Sequence, residues 1–372
     1  MADGGPTAGP SVATGAGRGA SAAGADRERI DALCASVTAP DRHSARLAQV
    51  RQLALARPSG SLGRLDTLVQ RVAGIRRTAS PGPLDTVVSV LAGDHGVAAH
   101  GTSRFRPGVT GRVLRLIDSG QAPVNILADR LPARVETADF GLVDPVGDQR
   151  YKIAPGTADI SVRDAMTADL AVRAIAAGAR FAEERLGGAG LVAIGEIGVG
   201  NTTAATALAA RLLGRTATEL TGLGSGVPQD TVRQKAALVG LALDRTAHLP
   251  DDPLTVLAAL GGYEIAGNTG IVLAAAARRQ VVLVDGAITA VAALLAVRLC
   301  PAVAGYLIAA HESTEPSHRH VLEALGQPPL LRLEMRLGMA SGAALAAGLV
   351  NAALAVAELT PGAAVAGLAE AQ

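Results

Sequence analysis

The chain has 372 residues and a formal net charge of +1; 49% of it is apolar, yet it holds only three Phe, three Tyr and no Trp. That length gives one large domain or two unequal ones, with a core built from Ala, Val, Leu and Ile. The near-zero charge and the scarcity of aromatic platforms argue against nucleic acid as a partner. Cys34 and Cys300 form no CxxC spacing, which argues against a disulfide scaffold or a structural zinc site.

Residues 1–27 are mostly Gly, Ala and Ser, the composition of a disordered tail. From about Arg27 to Arg77, apolar residues recur at helical spacing (Leu33, Val37, Leu47, Val50, Leu53, Leu55). This predicts two helices broken near Pro58. From Leu84 the rhythm changes to short apolar runs, each followed by a Gly-rich or polar turn and a helical stretch. Leu84–Ala92 runs into Gly93-Asp94-His95-Gly96, and Arg134–Phe140 into Gly141. Leu191–Ile194 runs into a glycine-rich turn, Val281–Val284 into Asp285-Gly286, and Tyr306–Ala310 into His311-Glu312-Ser313. Such runs read as buried parallel strands of βα units. The expected fold is α/β, a Rossmann-like, mostly parallel sheet with helices on both faces, plus a small helical domain from the N- and C-terminal segments.

The expected division is a tail over 1–27, N-terminal helices of the small domain over 28–80, a large α/β domain over 81–338 and a C-terminal helix over 339–372. The stretch between Leu337 and Glu358 is uncharged, but its Ala and Gly content fits a close-packed helix better than a membrane span. No basic-then-apolar leader pattern is present. The expectation is a cytoplasmic protein with no membrane partner.

Ligands of open parallel sheets bind beyond the carboxyl ends of the strands, where all these turns lie. GEIGVGNTT, Gly195–Thr203, places glycines where backbone can approach a ligand. Asn201, Thr202 or Thr203 can cap the next helix, whose N-terminus favours a phosphate or carboxylate. Glu196 is unusual in an anion loop, a candidate for chemistry or for holding a ribose hydroxyl; a solvated Glu in a plain turn is the competing reading. GLGSG, Gly222–Gly226, can form an anion nest, with Lys235 further on. Lysine occurs only at Lys152 and Lys235, every other basic residue being Arg, so a retained lysine can mark a site needing a compact ammonium. His95 and His100 beside Asp94 fall short of a zinc ligand set, and no metal or cofactor is expected. In HESTEPSHRH, His311–His320, Glu315 and Pro316 suit a helix start, which leaves Ser313 to meet a ligand.

Taken together, AGDHGV, GTAD with AMT (Gly156–Asp159, Ala165–Thr167), GEIGVGNTT, GLGSG with Lys235, GGYEIAGNTG (Gly261–Gly270), VDG (Val284–Gly286) and HESTEPSH form an ordered series. It resembles the nicotinate-nucleotide:dimethylbenzimidazole phosphoribosyltransferase family over roughly residues 30–355. The resemblance implies a homodimer and a reaction: an aromatic base displaces nicotinate from nicotinate mononucleotide with inversion, giving α-ribazole phosphate for the lower ligand of cobalamin. It implies functional roles for Glu196 and Lys235 near the nucleotide, with Gly198, Gly200, Asn201, Gly224, Gly226, Asp285, Gly286 and Ser313 around phosphate and ribose. It implies a base pocket at Ser103, Phe105 and Arg112.

Two departures stand out. The family motif LGEGTGA carries the glutamate that takes the benzimidazole proton; here Leu337–Ala343 reads LGMASGA, with Met339 at that position. A thioether cannot replace a carboxylate as base, so Glu196 or Glu334 would have to substitute. Arg112 stands where a glutamine is usual. Three readings compete: an active transferase, using dimethylbenzimidazole or another acceptor; an impaired subunit pairing with a glutamate-bearing paralogue; and a nucleotide-binding sensor.

Overall fold

The computed structural model describes residues 16–366 apart from residue 132, with side chains described from residue 23 onward. The chain opens with α1 (Ala16–Ser36), α2 (Arg42–Leu53) and α3 (Arg64–Arg76). Three helices therefore stand where two were expected. Asp41 makes the additional break: it caps α2, its carboxylate accepting from Ser44 N–H at 2.8 Å. The first helix also begins inside the segment expected to be a tail; residues 1–15 of that segment lie outside the described residues. The helix is held by tertiary contact: it packs against later helices, Asp26 pairs with Arg180 and Arg29 with Glu183.

The βα alternation follows. β1 (Thr86–Gly93) leads to α4 (Val109–Asp118) and α5 (Pro123–Arg130). After β2 (Ala133–Gly141) comes α6 (Ala168–Phe181), and after β3 (Leu191–Ile197) come α7 (Asn201–Leu213), α8 (Ala217–Leu220), α9 (Gln229–Thr246), α10 (Pro253–Leu260) and α11 (Tyr263–Ala277). β4 (Val281–Val284), α12 (Ala287–Leu299), β5 (Leu307–Ala309), α13 (Pro316–Leu325) and α14 (Ser341–Leu359) complete the elements of the described residues. The five strands coincide with the five apolar runs.

All strand pairs are parallel, in the order β2-β1-β3-β4-β5. The chain turns one way after β1 and the other way from β3, so the topological switch lies between those neighbours, where a ligand crevice opens in such sheets. α11 packs on β1–β4 and on α6; α14 packs on β1, β3 and β4 and also on α3 and α5. By length and composition α14 could cross a membrane. Here its Ala343, Ala347, Val350 and Leu354 are buried in the core.

α6 and α11 meet almost backbone to backbone. A Cβ on Gly270 would lie 1.9 Å from the Ile175 carbonyl oxygen, which a packed backbone cannot clear. Gly270→Ala should therefore cost about 3 kcal/mol, the upper end for overpacking, read as a fall in the urea midpoint. A loss below about 0.5 kcal/mol, the size of a neutral surface change, would show that the two helices can separate cheaply.

Candidate active site

At the carboxyl edge of the sheet lies a cavity of about 310 Å³. The ends of β3, β4 and β5 supply its charged groups, while the 102–113 segment, after β1, supplies hydroxyl and apolar side chains alike. Glu196 is the last but one residue of β3, and with Gly198, Gly200 and Asn201 it lines the cavity. Asp285 and Gly286 enter from the end of β4, and His311, Ser313 and Glu315 from beyond β5. Ser103 and Phe105 stand at the mouth, Phe105 54% exposed, with Val109, Val113 and Ile288 adding apolar surface.

Glu196 is the chemically unusual group. Only 5% of it is exposed, and burial pushes its carboxyl up to about 8, helped by the charges of Glu264 and Asp285. The side-chain amide of Asn201 donates to its Oε2 and opposes the shift. Asn201 therefore does not cap α7. The N-cap is Gly200, at φ +95° and with no side-chain bond, while Asn201 N–H and Thr203 N–H donate to the Gly198 and Gly200 carbonyls at 3.3 and 3.0 Å.

Lys235 lies behind the cavity lining rather than on it. It is 1% exposed, and its Nζ donates to Thr202 Oγ1 at 3.1 Å and to the Gly222 carbonyl at 3.3 Å. Burial lowers the pKa of this ammonium, and the nearby Glu315 carboxylate partly offsets that. Glu315 has another task than the capping expected of it: its Oε1 accepts from Gly224 N–H at 2.8 Å. The GLGSG turn thus spends that donor internally, which weakens its reading as an anion nest. Ser225 in the same turn reaches Ser103 Oγ at 3.3 Å and accepts from Arg104 N–H at 2.9 Å.

Three other expected residues stand off the cavity. Arg112 is exposed on α4; residues 109, 110 and 113 face inward, and helical phase turns 112 away. Gly226, at φ +91°, packs toward the Arg336 guanidinium. Met339 takes φ +57°, its N–H donates to the Glu196 carbonyl at 3.2 Å, and its side chain, 5% exposed, joins the hydrophobic core. Glu334 is exposed and absent from the lining, so it is no substitute base. Lys152, the other lysine, pairs with buried Asp139 at 3.0 Å, a structural contact at the end of β2.

Sequence reasoning passed over Thr110, His311, Arg336 and Leu337. Thr110 donates to Asp94 Oδ1 at 2.6 Å and accepts from Val199 N–H at 3.1 Å, tying three loops together. His311 could have been found from its place directly after the last strand. His95 orients its loop through Glu264, Nε2 to Oε1 at 2.8 Å. No cluster of metal-ligand side chains occurs among the described residues.

A phosphoribosyltransferase family profile matches residues 37–367. A nicotinate-nucleotide–dimethylbenzimidazole phosphoribosyltransferase of Chloroflexus aurantiacus is 42% identical over 84% of this chain and 91% of its own length. One from Pseudomonas putida (strain W619) is 41% identical over 82% and 89%. The crystal structure of CobT from Thermus thermophilus superposes with a TM-score of 0.84 at 36% identity, covering 88% of this chain and 99% of that one.

The buried Glu196 carboxyl has a consequence for stability. Folded, it keeps its proton up to about pH 8, whereas unfolded it ionises from its ordinary 4.5. The unfolded chain therefore binds fewer protons across that window, and stability falls as pH rises through it. His318, held down to about 3 from 6.5, acts in the opposite sense below pH 6.5. Between pH 6.5 and 8 the urea midpoint should fall in the wild type and stay flatter in Glu196→Gln. Equal slopes would mean that another group carries the dependence.

Proposed function

Since the chain belongs to the nicotinate-nucleotide–dimethylbenzimidazole phosphoribosyltransferase family, we propose that it moves the phosphoribosyl group of nicotinate mononucleotide onto dimethylbenzimidazole. One observation carries the assignment of roles: a buried carboxyl, Glu196, on a cavity backed by a buried ammonium, Lys235. The two oppositely charged groups match the two ends of the nucleotide. Its phosphate is an anion, suited to the positive end of α7, which no side chain caps, with Lys235 behind it. Its pyridinium ring is a cation, suited to Glu196.

The bond that breaks joins C1′ to the pyridinium nitrogen, and its electron pair neutralises the departing ring. Positive charge grows on C1′ and its ring oxygen meanwhile, as in other glycosidic displacements. A Glu196 carboxylate fixed near that carbon stabilises the charge more than water would, because its surroundings are already organised. Seating a cation beside Glu196 favours its ionised form. The apolar surface of Val109, Val113, Ile288 and Leu337 suits a flat aromatic acceptor, with Phe105 at the mouth. Two finer parts of the reading, a homodimer and a cytoplasmic location, are proposals supported by the family and by two free cysteines.

The test is to mix purified protein with both substrates and follow α-ribazole phosphate and nicotinate by mass spectrometry. Product is expected, with kcat/KM rising with pH and levelling near pH 8 as Glu196 ionises. Glu196→Gln should lower kcat about a hundredfold. Lys235→Ala should instead raise KM for the nucleotide about ten- to a hundredfold, the worth of one charged hydrogen bond. Tight nucleotide binding without product would overturn the transferase reading in favour of a sensor.

A further inference from the structure

Transfer to a benzimidazole leaves one proton to be removed. One ring nitrogen attacks C1′ with its lone pair, and the ring becomes a cation. The other nitrogen must then lose its N–H proton to give the neutral product. Position 339 offers only a thioether turned into the core, so the acceptor has to come from elsewhere on the lining.

The carboxylates there have other work. Asp285 Oδ1 accepts from Ala343 N–H at 2.9 Å. Glu315 holds the Gly224 N–H and faces Lys235. Glu196 carries the side-chain amide of Asn201 and sits where charge on the sugar develops.

His311 has no such engagement. It is 3% exposed and lines the cavity. Its Nδ1 is fully buried without a partner, and Nε2 lies 3.5 Å from Asp285 Oδ1; Nε2 can accept a proton when the resting imidazole carries its own on Nδ1. The segment holding Met339 presses directly on this ring: a Cβ on Gly342 would lie 2.1 Å from His311 Cδ2. Behind it, the His318 ring stands edge-on at 5.9 Å between centroids. Ser313 N–H donates to His318 Nδ1 at 2.9 Å, so His318 is neutral with its proton on Nε2, and it adds no second cation.

We propose that His311, paired with Asp285, is the proton acceptor of the transfer, the imidazole doing in this chain what a carboxylate at position 339 would otherwise do. The inference rests on the transferase reading given above. The proton passes from the acceptor's second ring nitrogen to His311 Nε2, the N–H electron pair stays with the acceptor ring, and the new imidazolium is balanced by Asp285 before returning its proton to solvent. Asp285 is a positioning residue here, since it acts through the imidazole.

The experiment compares two acceptors in wild type and His311→Gln. Dimethylbenzimidazole has a proton to lose; 1-methylbenzimidazole does not, because attack by its free nitrogen gives a product that remains cationic. His311→Gln should lose about a hundredfold in kcat with dimethylbenzimidazole and at most about threefold with the methylated base. Imidazole added to the buffer should restore part of the first rate. Asp285→Asn, which keeps an oxygen for Ala343 N–H, should give a smaller loss with the same preference between acceptors. Equal losses on both acceptors, or a loss under threefold on dimethylbenzimidazole, would overturn the role of His311. Calorimetric titration with nicotinate mononucleotide identifies a variant that has merely unfolded; Asp285→Asn then decides, and equal loss on both acceptors again overturns the proposal. No product from the wild type with either base would sink the transferase reading, and this inference with it.

Discussion

Residues 338–342 cross the carboxyl end of β3 at van der Waals contact, and the cavity takes its shape from that crossing. Gly195 has no Cβ because one would lie 2.6 Å from Ala340. On the other side Gly342 leaves room for the His311 ring. The Met339 N–H bond to the Glu196 carbonyl locks the crossing segment to the strand. β3 lies at the centre of the sheet, so the segment joins the most rigid part of the fold to the start of α14. Glu196 is thereby held on both sides of its Cα, and its carboxyl has no route to water except through the cavity.

That arrangement concentrates acid in a dry place. The charges of Glu264 and Asp285 raise the cost of ionising Glu196, and Lys235 is set apart behind Thr202. In the absence of ligand the least expensive state keeps a proton on Glu196. A cationic ring reverses the balance, whereas a neutral ring does not.

Much of this was legible in the sequence because its physics is local. Continuous apolar runs ending in Gly or Asp identify buried parallel strands, and all five lie where those runs are. The ends of parallel strands converge, so turns far apart in sequence, Glu196, Asp285 and Ser313 among them, could be placed in one cleft. The rarity of lysine pointed equally to Lys235, buried behind the lining, and to Lys152, which pairs with Asp139. What could not be read depends on tertiary context. The stretch in which α1 begins has the composition of a tail, and the helices that α1 packs on, α6 and α11, lie far along the chain. The phase of α4 turns Arg112 outward. A left-handed backbone at Met339 directs its side chain inward, and no pattern of residue types shows that. Glu315 read as a helix-start residue and His311 was passed over because their partners, Gly224 and Asp285, lie far away along the chain.

The crossing segment also bears on the order of synthesis. It follows all five strands in the sequence, so in a growing chain Glu196 and Lys235 emerge while the cavity still lacks one side and α14 has yet to cover β1, β3 and β4. Until Leu337 and Gly338 arrive, the carboxyl edge is an open shelf on which water reaches Glu196 and a nucleotide is only half enclosed.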